Sequence, residues 1–175
     1  PICQDTGIVT VFIKQGMDLR WDSDKTIEEM VNQGVRNAYL DKGNPLRASI
    51  VKNPISERIN TKDNSPAVVH VSLVPGSDLD ISIAAKGAGS ENKAVLGMLN
   101  PSDNIVDFVL GEIPKMGAGW CPPGVLGIGI GGTADKAMVM AKESLFETID
   151  IQELKKRVPA NKIESLRVEL YEKIN

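Results

Sequence analysis

The chain has 175 residues, 42% hydrophobic and 25% charged, the balance of a soluble protein with one continuous core. Aromatics are only 4%, so the core is aliphatic, which argues against the stacking platforms that bind single-stranded nucleic acid. The net charge of −3 gives no basic face for nucleic acid or an anionic membrane, and no apolar run nears the roughly 20 residues of a membrane span.

In chain order, Ile8–Lys14 is rich in β-branched residues and bounded by Gly7 and Gly16, which predicts a strand. Thr26–Leu40 sets Ile27, Met30, Val31, Val35, Ala38 and Leu40 at helical spacing, with Ser23 or Asp24 near the N-cap and Gly43 as the stop. A loop over 41–66 follows, with a short strand at Ala48–Val51. Ala67–Pro75 and Asp78–Ala85 read as strands joined by Pro75-Gly76-Ser77 into an antiparallel pair. In the second, Leu79, Ile81 and Ile83 alternate with Asp80, Ser82 and Ala84, so one face is expected to be buried.

Pro101–Lys115 predicts a helix capped by Asn100 or Ser102. The wholly apolar Val125–Ile130 predicts a strand covered on both faces. Thr133–Glu147 and Asn161–Ile174 complete the helices. The fold class is therefore α/β or mixed α+β, a mixed sheet with at least one antiparallel strand pair, flanked by helices. Residues 1–175 read as one domain. Because they begin Pro-Ile-Cys and finish inside a helical pattern, they are expected to be a fragment, incomplete at both ends.

Three glycine-bearing segments gather reactive or polar groups beside predicted strands: Cys3-Gln4-Asp5-Thr6-Gly7, Ala85-Lys86-Gly87-Ala88-Gly89-Ser90-Glu91-Asn92-Lys93 and Trp120-Cys121-Pro122-Pro123-Gly124. Loops at strand ends are where sites are assembled. Cys3 and Cys121 are the two cysteines, and nothing in the pattern points to secretion, so a reducing cytoplasm is the expected setting. Both stand in polar or Pro-bounded surroundings, as ligands do, yet two buried free thiols are the plainer reading, and two thiolates alone do not close a zinc or iron–sulfur site.

Lys86 and Lys93 offer a cradle for a carboxylate or phosphate, or are simply solvated. Arg47 offers a fork that fits a carboxylate, or a surface charge. His70, in a strand pattern, reads as an ordinary core or surface residue. Gly127, Gly129 and Gly132 match G-x-G-x-x-G between a predicted strand and helix, a Rossmann-type alternative. The strand with an acidic end that should follow about 20 positions on is missing, and close glycine packing of strand on helix accounts for the same residues.

Taken together, PICQDTG (1–7), LRAS (46–49), NTKDNSPAVVH (60–70), AAKGAGSENK (84–93), MLNPSD (98–103), CPPGVLGIGIGGTADKA (121–137) and RVELYEKIN (167–175) resemble the N-terminal domain of class I fumarases and the α subunit of L-tartrate dehydratase. The likeness runs in order over nearly the whole chain. It implies an oxygen-sensitive [4Fe–4S] cluster held by three cysteines, with Cys3 and Cys121 as two of them and the third beyond this chain. It further implies Gln4, Arg47 and Gly89 as substrate-binding, Lys86 beside them, and Asp5 as a catalytic proton-relay or orienting group.

The implied reaction is the reversible hydration of fumarate to (S)-malate, a step of the tricarboxylic acid cycle, or else dehydration of L(+)-tartrate. The carbon-proton base is expected from a β subunit or C-terminal domain, and a homo-oligomer is expected. The chain by itself is expected to be inactive. On this reading the glycine-rich GIGIGG run supports packing rather than a nucleotide.

Overall fold

Strand β1 (Ile8–Gly16) takes the centre of a three-stranded sheet because it is the longest unbroken β-branched run, and only a central strand has partners on both edges. The structure is a computed structural model that describes residues 7–120 and 123–175. The chain divides into two compact units, Pro1–Asn92 and Lys93–Asn175.

In the first unit the other strands are β2 (Val51–Lys52), β3 (Ile59–Asn60), β4 (Val68–Val74) and β5 (Leu79–Lys86), and the helices are α1 (Ile27–Leu40) and α2 (Ala88–Glu91). The sheet runs in the order β4-β1-β5. β1 is parallel to β4, Thr10 opposite Val68 through Gly16 opposite Val74, and antiparallel to β5, Ile8 opposite Lys86 through Gln15 opposite Leu79. This is the expected mixed sheet with an antiparallel pair, but the pair is not the one expected. β4 and β5 do not bond to each other, because β1 is inserted between them.

The Pro75–Ser77 turn accommodates that insertion. Gly16 N–H donates to Asp78 O at 2.8 Å, Met17 N–H to Val74 O at 2.9 Å and Asp18 N–H to Gly76 O at 3.0 Å. The end of β1 therefore fills the mouth of the turn. A Cβ on Gly16 would lie 2.3 Å from Gly76 O.

Val9, Val11 and Ile13 on one face of β1 form the core with Val35 of α1, and Ile27, Val31, Tyr39, Ala67 and Val69 pack at its margin. Ile27, Val31, Val35 and Tyr39 are four apart, one stripe of the helix. The helix cap is Thr26, not Ser23 or Asp24. Its Oγ1 accepts from Glu29 N–H at 3.2 Å while the Glu29 carboxylate accepts from Thr26 N–H at 2.8 Å. This reciprocal capping box holds the Glu29 carboxyl below its usual range, chiefly through the Thr26 backbone bond. The helix stops at Asp41, whose carboxylate accepts from Gly43 N–H at 2.7 Å.

Two strand expectations need correction in this unit. The short strand is Val51–Lys52 rather than Ala48–Val51, since Ser49 and Ile50 N–H go to the Asn64 side chain instead of a ladder. The apolar row of β5 is not buried. Ile81 is 47% and Ile83 65% exposed, and with Trp21 they line an open apolar groove against β1 and α1.

The second unit is helical: α3 (Ile105–Met116), α4 (Ala134–Glu143) running into a 3-10 turn (Ser144–Phe146), α5 (Ile151–Lys155) and α6 (Lys162–Ile174). α6 packs on α3 and α5, with Leu154 and Leu170 buried. Asn104 caps α3, rather than Asn100 or Ser102, by accepting from Val106 N–H at 2.8 Å. The Asn100–Asp103 stretch is a turn closed by Asn100 N–H donating to the Asp103 carboxylate at 2.7 Å. Val125–Ile130 is not a strand; it has no ladder partner among the described residues, and Val125 is 78% exposed. No helix among the described residues is long and apolar enough to cross a membrane.

Candidate functional site

Of the residues that the sequence singles out, Cys3, Gln4, Asp5 and Cys121 lie outside the described residues. The residues that frame them are described. Gly7, the last residue of the C-Q-D-T-G run, has φ +48°, and a Cβ there would sit 1.7 Å from the Lys86 carbonyl oxygen. Ile8 is the register partner of Lys86. The exit of the first segment is therefore pressed against the entrance of the second, at one end of the sheet.

Asn64 brings in a third segment. It is 0% exposed. Its Nδ2 donates to Gly7 O at 3.2 Å, and its Oδ1 accepts from Ser49 N–H at 2.7 Å and Ile50 N–H at 3.3 Å. The L-R-A-S run is thus tied to the start of β1, with exposed Arg47 two residues ahead of Ser49. Asn64 has φ 56°, a left-handed conformation that Asn tolerates better than most side chains. Beside it, Asp63 accepts from Ser65 N–H at 3.0 Å and Ser65 Oγ–H at 2.8 Å. The Ser65 backbone bond, above all, holds that carboxyl below its usual range.

The second segment is internally braced. Lys86 Nζ donates to Ser90 Oγ at 3.1 Å and pairs with the Glu91 carboxylate at 3.1 Å, while Ser90 Oγ–H donates to Gly87 O at 3.0 Å. The Lys86 charge is therefore already partnered within its own loop. Gly89 lies in α2, half-buried, one turn beyond the sheet edge. His70 stacks on Phe12, ring centroids 4.7 Å apart, a packing role that fits its plain reading.

In the second unit a Cβ on Gly124 would lie 1.7 Å from the Trp120 ring, so the two ends of the W-C-P-P-G corner close on each other. Further on, Cβ atoms on Gly127 and Gly129 would each come within 2.0 Å of a helix carbonyl, Ala141 O and Ala137 O. These glycines let an extended chain lie directly on α4. Gly131 and Gly132, at φ +88° and +73°, then turn the chain into the Thr133 N-cap. The dinucleotide fingerprint lacks its context: among the described residues the element before it is helix α3 rather than a strand, and residues 144–155 hold a 3-10 turn and α5 where its second strand should be.

Among the described residues no three His, Cys, Asp or Glu side chains are grouped to hold a metal ion. The first unit supplies a frame of Gly7, Lys86, Asn64 and Ser49; the second, taken by itself, supplies the approach of Gly124 to Trp120. Asn64 is the site residue that the pattern reading passes over. The only signal for it is an Asn in a Lys-Asp-Asn-Ser-Pro turn, where the sequence calls for a positive φ.

Comparison with known proteins supplies the context for this frame. The profile described as fumarate hydratase (fumerase) matches residues 1–175. A Methanocaldococcus jannaschii protein, provisionally named L(+)-tartrate dehydratase subunit alpha, is 41% identical over 100% of this chain and 61% of its own length. Fumarate hydratase 2 of Leishmania major is 36% identical over 77% of this chain and 24% of its own. The anaerobic class I fumarate hydratase of Escherichia coli is 30% identical over 77% and 25%. The chain thus spans at most about three-fifths of these relatives. Matched from its first residue to its last, the chain belongs to the fumarate hydratase family.

Proposed function

We propose that the chain is part of the α subunit or N-terminal domain of an iron–sulfur hydro-lyase that reversibly hydrates fumarate to (S)-malate. One observation supports this above others: Asn64, Gly7 and Lys86 draw three otherwise distant motif segments to one end of the sheet. Catalytic loops gathered by a rigid scaffold are what such chemistry requires.

Cys3 and Cys121 would hold a [4Fe–4S] cluster. The donor type fits, since thiolates are the ligands such clusters take. The donor number falls one short, so the third thiolate must come from outside residues 1–175. When bound, the cluster supplies an open-coordinate iron acting as a Lewis acid on the substrate hydroxyl.

This chain's own residues do the rest of the positioning. Arg47 holds a substrate carboxylate through its planar fork and offsets the charge that builds beside it. Gln4 and the Gly89 backbone orient the dicarboxylate. Lys86, fixed by Glu91 and Ser90, contributes positive potential more than a free ammonium. Asp5 moves or orients a proton. The base that takes the carbon-bound proton comes from the partner, a β subunit or C-terminal domain, and the working assembly is a cytoplasmic homo-oligomer of such pairs.

The second reading is L(+)-tartrate dehydration by the same frame. What favours it is that the relative aligned over the whole chain at 41% identity carries the tartrate dehydratase name, whereas the two fumarate hydratases align over 77%. Anaerobic reconstitution of the full-length protein and its partner with iron and sulfide tests the proposal. A broad absorption near about 400 nm should appear and vanish in Cys3→Ala and Cys121→Ala. Residues 1–175 alone should give neither chromophore nor turnover, and an intact cluster on that chain alone overturns the third-thiolate requirement. Rates with fumarate, malate and tartrate then separate the two readings, and nucleotide titration should show no binding.

A further inference from the structure

Asn64 is the point at which the chemistry-bearing segments of the first unit are joined, and the joint uses both ends of one amide. Its donor faces the Gly7 carbonyl at 3.2 Å, at the exit of Cys3-Gln4-Asp5-Thr6. Its acceptor takes the Ser49 and Ile50 amides at 2.7 and 3.3 Å, two residues from Arg47. The side chain is 0% exposed, so these bonds are made away from bulk water, where leaving one unmade is expensive. The φ of 56° fits a residue placed for its side chain at a backbone position that glycine would otherwise favour.

A planar amide of fixed length spanning two backbones sets their separation. We propose that Asn64 is a positioning residue: Nδ2 fixes Gly7, where the chain enters β1, and Oδ1 fixes the run that carries Arg47. The inference rests on the proposed function and adds to it a residue that itself touches neither substrate nor cluster.

The two halves of the amide can be separated experimentally in the full-length protein with its partner. Asn64→Asp keeps an acceptor for Ser49 and Ile50 but puts an oxygen against the Gly7 carbonyl. Asn64→Gly keeps the backbone conformation and removes both contacts. Per folded molecule, N64D should lower kcat/KM about tenfold, and N64G, which also releases the run that carries Arg47, should lower it further and raise KM about tenfold. A merely structural role would lower the folded fraction and with it the apparent kcat, leaving KM at the wild-type value in both variants.

A second measurement does not depend on turnover. In cluster-free protein, alkylation of Cys3 by iodoacetamide, followed by peptide mass spectrometry, should be about tenfold faster in both variants once the bond to Gly7 is lost, with Cys121 alkylated at the wild-type rate. Wild-type alkylation rates in folded N64D and N64G overturn the proposal, as does an N64G whose KM stays at the wild-type value. Should N64G not fold, N64D decides alone. A wild-type protein with no cluster and no hydratase activity defeats the functional reading instead, and faster alkylation in the variants would still uphold the role of Asn64.

Discussion

Gly7 carries two separate demands. Its φ of +48° lies where an L side chain is strained, and its missing Cβ leaves room for the Lys86 carbonyl, which would otherwise be 1.7 Å away. Backbone on both sides cannot yield as a flexible side chain would. Gly7→Ala should therefore destabilise the first unit by about 3 kcal/mol or more, measured by denaturant unfolding. From sequence, Gly7 reads only as a strand boundary, because the conflict arises with a residue at the far end of β5. Asn64 is hidden for the same reason, since its partners stand 57 and 15 positions away. Cys3, Gln4, Asp5, Arg47, Gly89 and Cys121, by contrast, were legible as motif members. Short patterns show what chemistry a residue could do, while distant contacts determine what holds it in place.

At the next scale, the loop between α5 and α6 is tied to α6 by an ion pair whose pH behaviour can be stated. Arg157 forks onto Glu164 with both bonds at 2.7 Å, and Ala160 N–H donates to the same carboxylate at 2.7 Å. Arg157 first, then the Ala160 amide, pulls the Glu164 carboxyl down from 4.5 to about 2. A carboxyl lowered on folding stabilises fully above its ordinary value and loses that contribution as pH falls toward the folded one. Glu164→Gln should thus melt below wild type at pH 7, with the gap narrowing from about pH 4.5 and gone near pH 2. The helices themselves were readable from period and length. Their caps were less so, because Thr26 is identified by the carboxylate returning to it from Glu29, and several Ser, Asp and Asn residues compete nearby. Val125–Ile130 misleads for a related reason. Apolar character without a ladder partner is compatible with an extended chain, and Gly127 and Gly129 lay it on a helix.

For the whole molecule, the mixture of strands and helices followed from periodicity, but the strand order did not. A turn fixes the relative direction of two strands and leaves open whether a third enters between them. Because β5 ends up at the sheet margin, Ile81 and Ile83 stay 47% and 65% exposed. An exposed apolar row on an edge strand promotes association between chains. Ile83→Lys should change stability by no more than about 0.5 kcal/mol. Light scattering of concentrated protein should show less self-association than wild type.

The placement of β1 also has a consequence for biosynthesis. Within this unit β1 is made before the other strands yet needs neighbours on both flanks, and those neighbours arrive only when Val68–Val74 and Leu79–Lys86 have been translated. Until then β1 has no docked backbone on either edge, and the sheet closes only on a chain already synthesised past Lys86. Closure of the sheet is then a late event in the synthesis of this unit, waiting on pairings distant in sequence.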